Sequence, residues 1–85
     1  MDAAKEGYYN RLKNQLFGCL CEREEGHSWE ANLDAILIEL LGIPEKERTI
    51  NYYRIYSKLA ACRYLDYKYF RKTIFDVMGL LGSGL

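Results

Sequence analysis

The stretch from Leu33 to Pro44 constrains the fold most, because it is the most apolar run in the chain and is bounded on both sides. Its large side chains recur at helical spacing and share one face: Leu33, Ile36, Leu37 and Leu40, with Leu41 beside them. We expect Ser28 to cap the start of this helix, and Gly42 to end it in a left-handed conformation before Pro44. Ala35 and Ile38 point away from the stripe, so the helix is apolar on more than one side.

Three further segments show the same periodicity, so the sequence predicts an all-α fold, a compact four-helix bundle-like domain with short loops. We place the helices at about 4–23, 29–41, 49–64 and 67–81 in a single domain of residues 1–85, with a flexible tail at 82–85. Thr49 and Asp66 are the predicted N-caps of the third and fourth helices. Glutamates crowd the last turn of the first helix, where the helix dipole disfavours anions, so we expect that end to fray before Gly26.

The predicted core consists of one apolar stripe from each helix. Besides the stripe already described, its members are Tyr9, Leu12, Leu16, Phe17 and Leu20, then Tyr52, Ile55, Tyr56, Leu59 and Cys62, then Phe70, Ile74, Val77 and Leu81.

The charge of the chain is zero overall but unevenly distributed. Residues 1–44 carry four bases and eight acids, whereas residues 45–72 carry eight bases and three acids. A neutral chain has no global attraction to nucleic acid or to a membrane surface. The polar N-terminus and the lack of a long apolar run predict no signal peptide and no membrane span. The predicted lack of a signal peptide, together with an odd number of cysteines, indicates reduced thiols and a cytoplasmic protein.

Four residues could in principle form a zinc site: Cys19, Cys21, Cys62 and His27. Cys19 and Cys21 lie two positions apart, about 200° around a helix axis, and so face different directions. We therefore interpret the cysteines as small core residues and His27 as a loop residue, and we predict no metal and no cofactor. A single histidine without a marked nucleophile gives no support for acid–base or nucleophilic catalysis, so a non-enzymatic protein is expected.

Glu39 lies among the apolar residues of the second helix. It is either a functional carboxylate with a raised pKa, or a structural residue that pairs with an Arg or Lys from the third or fourth helix or lies solvated at the edge of the helix. We favour a structural role over a functional one, since basic residues are abundant downstream and burial of a charge usually requires a partner.

Aromatic and basic residues alternate through the third and fourth helices, and several rings fall off the core stripes. We predict a protein-interaction surface that contains Tyr53, Arg54, Lys58, Tyr64, Lys68, Tyr69, Arg71 and Phe75. Ile38 and Phe75 are predicted to support self-association as a homodimer. The alternative is binding of RNA or DNA, because basic residues contact phosphates and aromatic rings stack on bases. The second and third helices loosely resemble a helix-turn-helix, but their connection is longer than that motif allows.

In size, neutral charge and lack of a catalytic signature, the chain resembles small regulatory proteins encoded by phages and bacterial mobile elements, including inhibitors of the anti-CRISPR type. The resemblance implies action by occupying the surface of a partner. No motif carries it, and so it assigns no role to any residue.

Overall fold

Helices account for nearly all of the regular structure in the computed structural model, which describes residues 3–85, with side chains from Glu6 onward. The helices are α1 (Ala3–Glu24), α2 (Glu30–Leu41), α3 (Ile50–Cys62) and α4 (Tyr67–Leu81), and a 3-10 turn (Glu45–Glu47) joins α2 to α3. No strand occurs within this part of the chain. The predicted all-α, bundle-like fold is confirmed.

The four helices form a ring in chain order. α1 packs against α2 and α4, and α3 packs against the same two helices, whereas the described parts of α2 and α4 lie diagonally, with no Cα atoms within 8 Å of each other. Tyr52 Oη near the start of α3 donates to Leu40 O near the end of α2, and Arg63 after α3 pairs with Asp34 in the first half of α2. α2 and α3 are therefore antiparallel.

The core contains one stripe from each helix, as the periodicity predicts. The fully buried residues are Leu12, Leu16, Cys19, Leu20, Leu33, Ile36, Leu40, Tyr52, Ile55, Leu59, Cys62, Phe70, Ile74, Val77 and Leu81. Two residues that we assigned to the stripes or their edges are half-exposed, Phe17 at 50% and Leu41 at 51%. Phe17 follows buried Leu16, and Leu41 follows buried Leu40, so each is rotated about 100° out of the core.

The N-cap of α3 is confirmed, since Thr49 Oγ1 accepts a hydrogen bond from the amide of Tyr52 at 3.1 Å. Asp66 occupies the N-cap position of α4, but its side chain makes no capping hydrogen bond. Thr49 lies in the extended conformation typical of an N-cap, which points its hydroxyl back at the first turn.

The helix α2 ends at Leu41 as predicted, but both of its predicted caps are wrong. The N-cap position belongs to Trp29, not Ser28, and no side chain caps this end. Gly42 has a φ of −72°, in the right-handed region, and its amide donates to Glu39 O, while the amide of Ile43 donates to Leu40 O. The start of α2 is positioned by packing instead, because the Trp29 ring lies 4.9 Å from the ring of Phe70, measured between centroids.

The end of α1 is held by contacts with other elements rather than frayed. The Arg23 guanidinium carbon lies 4.5 Å from the ring centroids of both Trp29 and Phe70, and Nη2 donates to Leu65 O at 2.6 Å. Glu24 accepts a hydrogen bond from Tyr67 Oη at 3.0 Å. The helix is regular to Glu24.

Residues 82–85, which we expected to be flexible, fold back on the bundle. Asn51 Nδ2 donates to Leu80 O at 2.8 Å and also to Gly84 O. The amide of Leu85 donates to Tyr9 Oη at 3.3 Å, and the Leu85 side chain packs against the core. The segment is therefore tied to both α1 and α3.

Candidate interaction surfaces

The outer surfaces of α3 and α4 carry five exposed basic residues, which we call the basic surface: Arg54, Lys58, Lys68, Arg71 and Lys72. The ion pairs found among the described residues are Arg11 with Glu39, Arg63 with Asp34, and His27 with Glu25. None of them involves a residue of the basic surface. These five side chains are thus available to an anionic partner.

One half of the basic surface is a shallow depression on α4, where aromatic rings lie beside the cations. Tyr69 is 55% exposed and Phe75 is 43% exposed. The Arg71 guanidinium carbon lies 4.9 Å from the centroid of the Phe75 ring, and Lys68 Nζ lies 5.9 Å from that of Tyr69. Lys72 and Asp76 complete the lining. The structure therefore brings four of the predicted partner-binding residues together on one helix.

The other half is a more open depression on α3 that contains Tyr53, Arg54 and Lys58, together with Ile50 and Ser57. The Tyr53 ring is 48% exposed and packs edge-on against Tyr52, with centroids 5.2 Å apart. The two depressions share no lining residue. The predicted interaction surface is thus divided between two neighbouring helices rather than forming one pocket.

Tyr64 lies apart from both depressions, in the turn that follows α3, and is 84% exposed. Ile38 is 69% exposed on the outside of α2, whereas Phe75 belongs to α4. Because α2 and α4 are not neighbours, the structure does not place Ile38 and Phe75 on one common surface.

The prediction missed Ile50, which is 76% exposed at the first residue of α3. The sequence does contain a signal for it, since Ile50 does not share the spacing of the stripe that begins at Tyr52. Together with Leu41 and Ile38, it adds aliphatic area to the side of the bundle formed by α2 and α3.

Glu39 forms its ion pair with Arg11 of α1, not with the third or fourth helix as predicted. The periodicity of α2 places Glu39 on the side that faces α1, whereas Asp34 lies on the side that faces α3 and pairs with Arg63. The second helix therefore forms one ion pair with the helix before it, and one with the residue that follows the helix after it.

The cysteines are placed for packing. Cys19 and Cys62 are fully buried, and their thiols donate to Trp29 O and Leu59 O at 3.6 and 3.1 Å. Burial raises the pKa of Cys19 to about 12 and that of Cys62 to about 11. Cys21 is half-buried, and His27 lies in the loop between α1 and α2. Among the described side chains, no three His, Cys, Asp or Glu residues are grouped so that they could hold a metal ion.

None of the helices in residues 3–85 combines the length and the apolar character that crossing a bilayer requires. No protein-family model matches the chain, nor does any curated protein or solved structure, so the assignment of these surfaces rests on the geometry described above.

Proposed function

We propose that this chain is a small, non-enzymatic binding module whose basic surface docks on an acidic patch of a protein partner. The observation that carries the proposal is the set of five basic side chains on α3 and α4 that have no acidic partner within the described chain, beside the exposed rings of Tyr69 and Phe75. A long side chain with an unpaired charge steers an oppositely charged protein during encounter.

The aromatic rings supply the apolar contact area in this mode of binding. Phe75 lies under the guanidinium of Arg71, and Tyr69 lies beside the ammonium of Lys68. A carboxylate of the partner can pair with either cation while the ring beneath packs on an apolar group. Aromatic and arginine side chains of this kind are the residues that dominate binding energy at protein interfaces.

The mechanism is steric: the partner is inactivated or retained because part of its surface is covered. In its most specific form, the proposal is an inhibitor of the anti-CRISPR type, encoded by a phage or mobile element and acting in the cytoplasm. Its neutral overall charge favours this local recognition over general adhesion to polyanions.

The test compares two double charge reversals that alter net charge equally. Arg54→Glu with Lys72→Glu changes the basic surface, whereas Lys13→Glu with Lys46→Glu changes positions outside it. Each tagged variant is used to capture proteins from the source cells, and the partner that the unmodified chain retains is then purified. We expect the first variant to weaken binding at least about tenfold, with the control unchanged. Equal binding by both variants would remove the basic surface from the proposal.

Binding of RNA or DNA is the second candidate, because the same alternation of cations and rings can contact phosphates and stack on bases. Fluorescence polarisation with mixed-sequence RNA and DNA distinguishes this nucleic-acid function from the protein-binding function. Tight binding that falls steeply with salt, and is lost in the Arg54→Glu, Lys72→Glu variant, would favour the nucleic-acid function. No binding at low salt would exclude it.

A further inference from the structure

The outer side of α4 has the residue spacing of a helix that packs against another helix. Its exposed residues recur at intervals of four, three and four positions: Lys68, Lys72, Phe75 and Gly79. We call these four residues the outer stripe. Each of them precedes a member of the buried stripe by two positions, which is about 200° around the helix axis. α4 thus carries two stripes of equal spacing on opposite sides, and α1 and α3 cover only the buried one.

The cations of the outer stripe lie where the chain itself gains nothing from them. Lys68 and Lys72 are one turn apart, and like charges at this spacing destabilise a helix. Lys68 also lies in the first turn of α4, where the helix dipole disfavours a cation and where no acidic residue is present. Neither lysine belongs to an ion pair among the described residues. A ligand with carboxylates one turn apart would remove both penalties.

Gly79 is a second feature of α4 that the fold does not require. It has no positive φ, and a Cβ added to it would meet no atom within 4 Å in the described chain. Glycine disfavours a helix more than any other residue except proline. The missing side chain therefore relieves no contact inside the bundle, but it allows the backbone of a second helix to approach α4 closely.

We propose that the outer stripe binds an amphipathic helix of the protein partner, one that carries acidic side chains one turn apart. Its carboxylates pair with Lys68 and Lys72, an apolar side chain packs on Phe75, and its backbone crosses α4 near Gly79. Asp76 also lines this depression, and a carboxylate there disfavours the continuous row of phosphates of a nucleic acid. The inference rests on the proposed function and names the element of the partner that is bound.

NMR titration of the isotope-labelled chain with three synthetic peptides tests the inference. The first peptide has about 20 residues, enough to form a helix in water, and carries glutamates four positions apart beside leucines. The second has glutamine in place of each glutamate, and the third keeps the glutamates but contains two prolines that prevent a helix. We expect the first to shift the amide signals of α4 and to bind at least about tenfold more tightly than the other two.

The peptides separate failure of this inference from failure of the proposed function. Equal binding of the proline-containing peptide would overturn the helical ligand and leave an acidic protein partner in place. The absence of shifts with all three peptides at millimolar concentration would overturn the inference, whereas the proposed function is tested on the captured partner itself. Binding of single-stranded RNA in preference to the acidic helix would also overturn it, and would assign the outer stripe to nucleic acid.

Gly79→Gln tests the close approach, with Gly7→Gln as the matched control. Gly7 is likewise an exposed helical glycine at which a Cβ would meet no described atom within 4 Å, but it belongs to α1. Both variants should fold and melt no lower than the unmodified chain, because glutamine favours a helix more than glycine does. We expect only Gly79→Gln to weaken binding of the acidic helix, by at least about tenfold. Equal binding by the two variants would overturn the crossing at Gly79.

Discussion

Tyr52 offers a direct test of how α3 is fixed to α2. Its side chain is 1% exposed, and its hydroxyl donates to the backbone oxygen of Leu40 at 2.9 Å. Leu40 is the last buried residue of α2. Tyr52→Phe keeps the ring and its packing, including the stacked ring of Tyr56 at 6.2 Å, but removes the hydroxyl. The change therefore isolates one buried hydrogen bond between two helices.

We expect Tyr52→Phe to lower the free energy of unfolding by about 1 kcal/mol. A buried hydrogen bond between neutral groups contributes about 0.5–1.5 kcal/mol net, and a carbonyl left without any donor costs about 1–3 kcal/mol. The larger figure does not apply, because Leu40 O also accepts from the amide of Ile43 at 3.1 Å. For a domain of this size, a loss of 1 kcal/mol lowers the melting temperature by roughly 4–8 °C.

Urea denaturation followed by circular dichroism measures the effect, at a protein concentration low enough to keep the chain monomeric. The midpoint should fall while the slope of free energy against urea stays the same. Tyr53→Phe is the control, since Tyr53 is the next residue, is 48% exposed and makes no hydroxyl hydrogen bond within the described chain. We expect it to change stability by less than about 0.5 kcal/mol. Equal losses in the two variants would refute this account of Tyr52.

The same substitution should also change how the free energy of unfolding depends on pH under alkaline conditions. Burial raises the pKa of Tyr52 above its ordinary value, so the folded chain holds the phenol proton more tightly than the unfolded chain does. This contribution is fully present below about pH 10, where the unfolded phenol is still protonated, and is lost as the pH rises from there through the pKa of the folded state. Tyr52→Phe should therefore lose stability less steeply above pH 10 than the unmodified chain.

Two further predictions concern the helix caps and the thiols. Thr49→Ala should lower the free energy of unfolding by about 1 kcal/mol in urea denaturation, whereas Asp66→Ala, whose side chain makes no cap, should change it by less than about 0.5 kcal/mol. In the native protein at neutral pH, a thiol reagent such as Ellman's should modify Cys21 first, and Cys19 and Cys62 only after denaturation, because burial shields both thiols and raises their pKa values to about 12 and 11. Rapid modification of all three in the folded chain would contradict the core placement.

Features set by neighbouring residues in the chain could be predicted from the sequence. The stripe of α4 is wholly buried as its spacing indicates, from Phe70 to Leu81, because a regular helix returns to the same side every three or four residues. The Thr49 cap is local in the same sense, since the hydroxyl bonds an amide three residues away. The exposure of rings that fall off the stripes follows from the same geometry, as Tyr53 of α3 and Tyr69 of α4 show.

Features set by contacts between helices could not be predicted in this way. Glu39 had several basic residues within reach, and only the order of helices around the bundle selects Arg11. Ile38 and Phe75 are both exposed, but the ring order separates the helices that carry them. The start of α2 depends on a contact between Trp29 and Phe70, which are far apart in sequence.

The last turn of α1 shows why such contacts prevail over local preferences. Each unfavourable anion near a helix C-terminus costs about 0.3–1 kcal/mol, which supports the expectation of fraying. The guanidinium of Arg23 lies 4.5 Å from the centroids of both Trp29 and Phe70, and a cation–π contact stabilises by about 0.5–2 kcal/mol depending on its exposure to water. Two such contacts and the hydrogen bond to Leu65 O offset the dipole penalty. The guanidinium carries several N–H donors, so Arg23 can lie over the two rings and still donate to that carbonyl, and it joins α1 to the start of α2 and to the turn before α4 at once.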